Sequence, residues 1–467
     1  MQNYKDFLKS KQSTVIPTGF EISNELVKSS YPFLFDWQQY IMPWLVKKGR
    51  AALFLDTGLG KTIIQLVWAD IICKHTGGKV LILAPLAVSA QTVKEGERFG
   101  ISVTPCRSSE DVRDGINITN YEMLDHFNAD DFIGVVLDES SILKNYMGSI
   151  KQMIINAFKD IPYKIAATAT PSPNNPMELL NQSEFLGVMQ RSNALSIWFV
   201  HDSANTSDYR LKGHAVKSFW EWVSSWAVYI SKPSEIGFSD EGYILPPLNE
   251  QEIVIPIDDS STDIDEGFFR HIDTSATAFH KEKRFTAEVR AAKCAEIIES
   301  LPEDEQFIVW CYTDYEADLL KKHIPGAVEV RGSHKSEFKE QAALDFVSGK
   351  IRVLISKPQI FGMGLNFQNC HNTVFCGVDF SFESYYQTVR RFYRFGQKSA
   401  VNVYIVIGST EQRILSAVRE KEKMQQEMKT GIRNQIREYQ NAELKQRDFR
   451  LDLNTPKIEI PNWIKGA

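Results

Sequence analysis

The stretch LFLDTGLGKTIIQLVWA (residues 53–69) decides the fold. It runs from a continuous apolar strand, through a glycine-bearing turn, into a segment that opens a helix. Gly58 and Gly60 let the backbone approach a polyphosphate. The N-terminus of the following helix and Lys61 neutralise that charge, and the Thr62 hydroxyl is placed to ligate Mg²⁺. The strict pattern G-x-x-x-x-G-K-[ST] is broken at its first glycine, where Leu55 stands. The strand before and the helix after supply the context the motif needs.

Working outward, AALFL (51–55), KVLILA (79–84), INIT (116–119), FIGVVL (132–137) and KIAAT (164–168) lack polar alternation. That is the signature of parallel strands covered on both faces. The pattern returns in QFIVWC (306–311), AVEV (327–330), IRVLI (351–355), NTVFC (372–376) and VNVYIV (401–406). Two β/α series predict an α/β protein with two parallel-sheet lobes in tandem.

Between them lies a segment rich in aromatic residues: Trp198, Phe219, Trp220, Trp222 and Trp226. It reads as a helical insertion linking the lobes. The acidic run Asp258, Asp259, Asp263, Asp265 and Glu266 reads as a solvated face. After Ser409, Ile414, Val418, Met428, Ile432 and Ile436 recur at near-helical spacing, which predicts a long helix packed back across the lobes. The tail from Leu451 is expected to be irregular. The expected division is an N-terminal extension (1–30), a first lobe (31–190), the insertion (191–250), a second lobe (251–410), and the long helix with its tail (411–467).

Composition narrows the class. A chain of 467 residues suggests two to three domains at roughly 150 residues each. With 43% hydrophobic and 24% charged residues, it is neither disordered nor collagen-like. No apolar run reaches the ~20 residues of a membrane helix, and MQNYKDFLKSKQS has no apolar h-region. A soluble cytoplasmic protein without a membrane partner is the expectation. The net charge of -6 argues against non-specific coating of nucleic acid, so any such contact must come from a local groove. Six cysteines without a C-x-x-C pair point to reduced, buried thiols.

Three further stretches carry chemistry. VVLDESS (135–141) ends a strand in Asp138 and Glu139, one carboxylate for a metal and one for the attacking water. In KIAATATPSPNN (164–175), Thr168 and Thr170 either cap the turn before Pro171 or couple the γ-phosphate site to the neighbouring lobe. In SYYQTVRRFYRFGQKSAVNVY (384–404), Arg391 and Arg394 lie three apart on one helical face, preceded by Gln387. They look like fingers reaching for a nucleotide in the other lobe.

The ordered series is D-T-G-L-G-K-T (56–62), A-P-L (84–86), I-T-N-Y-E-M-L (118–124), D-E-S-S-I-L-K-N (138–145), T-A-T-P-S-P-N-N (168–175), G-x-G-L-N (362–366) and Q-x-x-R-R-x-x-R-x-G-Q (387–397). It resembles superfamily 2 helicases and translocases, specifically the Swi/Snf-like branch and its short phage and bacterial members, over roughly residues 33–430. The resemblance implies two RecA-like lobes with ATP and Mg²⁺ between them and nucleic acid across their top. Gln38 in FDWQQY matches the adenine-reading glutamine. Lys61 and Thr62 match the phosphate loop, Asp138 and Glu139 the Walker B pair, and Arg391 and Arg394 the arginines of the last motif. Asn366 matches the asparagine after the paired glycines, of which Gly364 is the second; with Thr168, Thr170 and Gln387 these are the coupling candidates. LPPLNE resembles the lead into the second lobe, and STEQRILSAVREKEK the brace helix.

The sequence also departs from the family. DESS replaces DEAH, ISKPQIF lacks the family's Ser-Thr, residues 191–245 match poorly, and no accessory chromatin-binding domain is expected. The implied function is a DNA-dependent ATPase that moves along duplex DNA. Two alternatives stand beside it: a strand-separating DNA or RNA helicase, and an ATP-gated clamp without productive turnover. Thr119-Asn120-Tyr121 and Arg331-Gly332-Ser333, at strand ends beside the cleft, are the candidate nucleic-acid contacts, and each reads equally as turn chemistry. Residues 191–245 and the C-terminal helix are the places for a protein partner.

Overall fold

The computed structural model describes residues 17–144, 148–171, 176–201, 209–256, 276–361, 366–378 and 382–412, with Leu415, Ser416, Arg419, Lys423, Arg437, Tyr439, Gln440, Asn441 and Leu444 beyond them. The first lobe holds β1 (Arg50–Leu55), β2 (Val80–Ala84), β3 (Val103–Pro105), β4 (Ile116–Asn120), β5 (Gly134–Asp138) and β6 (Tyr163–Thr168). A short antiparallel ribbon, β7 (Phe199–His201) with β8 (Tyr209–Leu211), stands apart, and β9 (Ala227–Ile230) returns to the main sheet. The sheet runs β3-β4-β2-β5-β6-β1-β9, with every pairing parallel. The second lobe orders β10 (Leu248–Ile255), β11 (Phe307–Trp310), β12 (Val328–Val330), β13 (Val353–Ser356), β14 (Asn372–Cys376) and β15 (Val401–Gly408) as β10-β15-β14-β11-β13-β12, again all parallel. Separate apolar cores cover the two faces of each sheet. These are two α/β lobes, each built on a parallel sheet, and every strand read from an apolar run is present.

The aromatic segment differs from its reading as a helical insertion. It contains two helices, Arg191–Trp198 and Val216–Ser224, but it also supplies β9, paired in parallel to β1 from Ala52↔Ala227 to Leu55↔Ile230. Trp198, Phe219, Trp220, Trp222 and Trp226 share one core with Phe54, Leu137 and Ala166. The Trp198 and Trp222 rings stack at 4.5 Å. Large rings bury enough area to pack an extra layer onto a sheet, and four residues of AVYI are too few to show a strand period. The segment is part of the first lobe.

The second lobe's sheet opens with β10, which starts at Leu248, the last residue of LPPL. Of the expected long C-terminal helix, the described residues touch both lobes. Arg419 pairs with Glu250 of β10 at 2.7 Å. Gln440 Oε1 accepts from the Tyr229 amide of β9 at 2.7 Å, and Leu444 is buried in the first lobe's core. The rest of that helix, the tail from Leu451 and the acidic run lie outside the described residues. Among the described residues, no helix is long and apolar enough to cross a membrane.

Candidate active site

The phosphate loop connects β1 to the helix Lys61–Thr76, and its glycines are required twice over. Gly58 (φ +91°) and Gly60 (φ +71°) are left-handed, a region that side chains with a Cβ rarely enter. Space forbids a side chain as well: a Cβ on Gly58 would lie 2.8 Å from the Phe395 amide nitrogen, and one on Gly60 2.6 Å from Gln38 Nε2. The free N–H groups of the helix's first turn therefore face the cleft with the positive end of the helix dipole. Lys61 Nζ donates to the Leu55 carbonyl at 2.9 Å. Burial lowers its pKa, and the nearby Glu139, Asp56 and Asp138 carboxylates oppose that shift.

Asp138 closes β5 at the back of the cleft. Its Oδ1 accepts from Gln65 Nε2 at 2.9 Å, and Gln65 stands one turn along the helix from Lys61. Burial pushes the Asp138 carboxyl upward, while the Gln65 bond favours the ionised form. Glu139 is strained: with φ of 62° it is the only non-glycine residue at positive φ among the described residues. The strain turns its carboxylate into a cage of donors. Oε1 accepts from Thr168 Oγ1 at 2.5 Å and from Ser141 Oγ at 2.9 Å. Thr168 Oγ1 in turn accepts from the Thr170 amide at 3.0 Å. Of the two readings of this pair, the structure places Thr168 on the Glu139 carboxylate.

The second lobe closes the cleft. The helix Phe382–Val389 stops short of both arginines, so Arg391 and Arg394 do not share a helical face as expected. They project from the tight turns that follow, held by Gln397 Nε2 donating to Phe392 O at 3.1 Å and by the Phe367 amide donating to Arg391 O at 3.0 Å. Burial, with Arg394 beside it, pushes the Arg391 guanidinium down to about 10. Arg390 also lines the cleft, its guanidinium 5.0 Å over the Tyr386 ring. Gln387 lines it too. Asn366 sits behind the turn, its Oδ1 accepting from the Gln368 amide at 3.2 Å, while Gln368 donates to Phe395 O. Gly364 lies outside the described residues.

In the open cleft between the lobes, Gly58, Gly60, Lys61 and Thr62 face Arg391 and Arg394. Two buried polar atoms on its wall, Arg394 Nε and Thr170 Oγ1, have no hydrogen-bond partner among the described residues. Orphaned donors beside a lysine and a helix N-terminus fit a polyanion. Asp138 and Thr62 are the residues that would hold Mg²⁺. Mg²⁺ is typically bound through one or two protein groups, with nucleotide oxygens and water completing its shell. Several cleft residues escaped the sequence reading, Gln91, Thr92, Glu95 and Tyr386 among them. Glu95, on the helix Leu86–Arg98, lies near Arg394 with its carboxyl pushed up by burial.

Other expected site residues are engaged elsewhere. The Gln38 amide is buried, accepting from the Phe35 amide and donating to Leu59 O, both at 3.0 Å. It props the phosphate loop and does not line the cleft. Thr119 and Tyr121 are buried, and Tyr121 OH donates to the Asp138 carbonyl at 2.6 Å. Asn120 caps the short helix Tyr121–His126 by accepting from the Met123 amide at 3.1 Å. Arg331 is ion-paired with Glu329 and Asp318. Gly332 and Ser333 remain exposed. Of the candidate nucleic-acid contacts, Thr119 and Tyr121 are thus out of solvent and Arg331 is engaged by two carboxylates.

Residues 290–396 match the helicase conserved C-terminal domain. A SWI/SNF-related matrix-associated actin-dependent regulator of chromatin subfamily A-like protein 1 from Xenopus tropicalis is 22% identical over 438 residues, covering 86% of this chain and 45% of that protein. TATA-binding protein-associated factor 172 from Homo sapiens is 29% identical over 34% of this chain and 9% of its own length. The chain thus spans less than half of these relatives. Superposition on the Sulfolobus solfataricus SWI2/SNF2 ATPase core in complex with dsDNA gives a TM-score of 0.39 at 16% identity, over 89% of this chain and 95% of that one. That likeness is too low to carry an argument. The match to the helicase C-terminal domain and a relative aligned along most of the chain support the resemblance to Swi/Snf-like superfamily 2 helicases and translocases.

Proposed function

We propose that the chain is a DNA-dependent ATPase that converts ATP hydrolysis into movement along duplex DNA. One observation carries the reading: the phosphate loop and the Asp138–Glu139 pair of the first lobe face Arg391 and Arg394 of the second across a single cleft. In phosphoryl transfer the protein mainly positions groups and stabilises charge on the transferring phosphoryl oxygens. Lys61 and the helix N-terminus hold the β- and γ-phosphates. Thr62 and Asp138 would hold Mg²⁺, which would neutralise charge on the phosphates. Glu139, aimed by Thr168 and Ser141, orients the attacking water and takes its proton. Arg391 and Arg394 stabilise the developing charge.

Because the site is complete only when both lobes contribute, hydrolysis and lobe movement are obligatorily linked. Duplex DNA suits such a motor: its regular backbone is gripped through phosphates without base readout. An acidic protein that neutralises few phosphates binds weakly and loses its grip as salt rises. Triplex displacement run beside forked-duplex unwinding, both with ATP at low salt, tests the reading. Triplex displacement without efficient unwinding is expected. Efficient fork unwinding with no triplex displacement overturns it in favour of a strand-separating helicase.

A further inference from the structure

A hydrogen bond crosses the cleft where no phosphate is needed to make it. Tyr386, on the helix Phe382–Val389 of the second lobe, donates its hydroxyl to Asp56 Oδ1 of the first at 2.8 Å. Asp56 is fixed to its own lobe. The same Oδ1 accepts from the Thr57 amide at 2.9 Å, and the Asp56 amide donates to Ile230 O of β9 at 3.0 Å. It is also the residue that opens the phosphate loop. Tyr386 is equally well anchored on its side: its carbonyl accepts from the Arg390 amide at 3.1 Å, and the Arg390 guanidinium lies over its ring. Directly beyond Arg390 come Arg391, Arg394 and Phe395, and the Phe395 amide sits against Gly58. The bond therefore joins the first residue of the phosphate loop to the root of the turn that carries both arginines.

We propose that Tyr386 and Asp56 are positioning residues that dock the arginine-bearing turn of the second lobe onto the phosphate loop before nucleotide binds. The inference rests on the ATPase reading for its catalytic consequence, though the docking itself does not. Burial pushes the Tyr386 phenol well above its ordinary value, so it stays protonated and remains a donor at any working pH. A bond from a buried hydroxyl to a carboxylate is of the charge-assisted kind, strong enough to bias two rigid bodies but weak enough to be broken each cycle. ATP then enters a cleft whose arginines are already near their working positions. Turnover depends on the fraction of molecules docked, whereas capture of ATP by the first lobe does not.

The test is Tyr386→Phe, which deletes one hydroxyl and keeps the ring under Arg390, beside Asp56→Asn and the double variant. Small-angle X-ray scattering of the nucleotide-free protein should show each variant more extended than wild type. Its kcat should fall roughly tenfold, as losing one charge-assisted bond predicts, while KM for ATP stays near wild type. The double variant should be little worse than either single one, since both remove the same bond. Unchanged scattering overturns the proposal. So does extended scattering with unchanged kcat, because the bond would then join the lobes without positioning the arginines. If wild type hydrolyses no ATP under any condition, the functional reading fails, and scattering still decides whether the bond docks the lobes.

Discussion

The nucleotide cleft and the expected nucleic-acid face were read from the same sequence by the same means, and they fared differently. In the cleft, Lys61, Thr62, Asp138, Glu139, Arg391 and Arg394 come from distant segments and converge on one space. On the nucleic-acid face, Tyr121 holds the Asp138 carbonyl, Asn120 caps a helix and Arg331 is held by two carboxylates. Phosphate-transfer chemistry admits few residue types, so its groups announce themselves. Gripping a duplex backbone admits almost any donor, so a threonine or arginine at a strand end says little. A polar residue close to a site is as often part of its frame as part of its surface.

The largest expected effects lie in the cleft. Lys61→Ala should abolish measurable hydrolysis, since Lys61 is the cation seated inside the phosphate loop. Glu139→Gln should still bind ATP, read by a fluorescent analogue, yet lose about 10²- to 10⁴-fold in turnover with its proton acceptor gone. Near-wild-type rates in either variant would remove the site assignment. Arg391→Ala and Arg394→Ala should each cost on the order of 10³-fold in kcat. Arg390→Ala is not expected to be neutral either, because Arg390 lines the cleft and covers Tyr386. An effect smaller than at Arg391 but clearly above background is expected in steady-state kinetics.

How much of this was legible follows the same division. Both lobes showed in their apolar runs, because strands buried on both faces need no alternation to be seen. β9 was hidden among tryptophans that imitate a helix. β10, reading LNEQEIVI, was hidden by the polar residues that an edge strand tolerates. Catalytic residue types were readable one by one. Their supports were not, because Thr168 to Glu139, Gln65 to Asp138 and Tyr386 to Asp56 are pairs separated by 29, 73 and 330 positions. No local pattern links such partners.

Gln65 offers a finer test. Its hydrogen bond favours ionised Asp138 against the effect of burial. The working form is the carboxylate, so activity is present above the Asp138 pKa and lost as pH falls through it. Gln65→Leu removes the favourable bond, raises that pKa further, and should move the acid limb of the kcat profile to higher pH while raising the Mg²⁺ requirement. An unshifted limb would mean that Gln65 is only packing. The smallest effect belongs to Arg331. Arg331→Ala should leave duplex affinity and its salt dependence nearly unchanged, because its charge is already neutralised by Glu329 and Asp318. A salt slope lowered by about one would instead restore Arg331 as a phosphate contact.

If the lobes meeting across one cleft form an ATPase governed by duplex DNA, steady-state ATP hydrolysis at low salt should be stimulated most strongly by duplex DNA when it is compared with single-stranded DNA, RNA and no nucleic acid. That stimulation should collapse as salt rises and be absent in Arg391→Ala. Equal rates with all four, or stimulation by RNA alone, would contradict it.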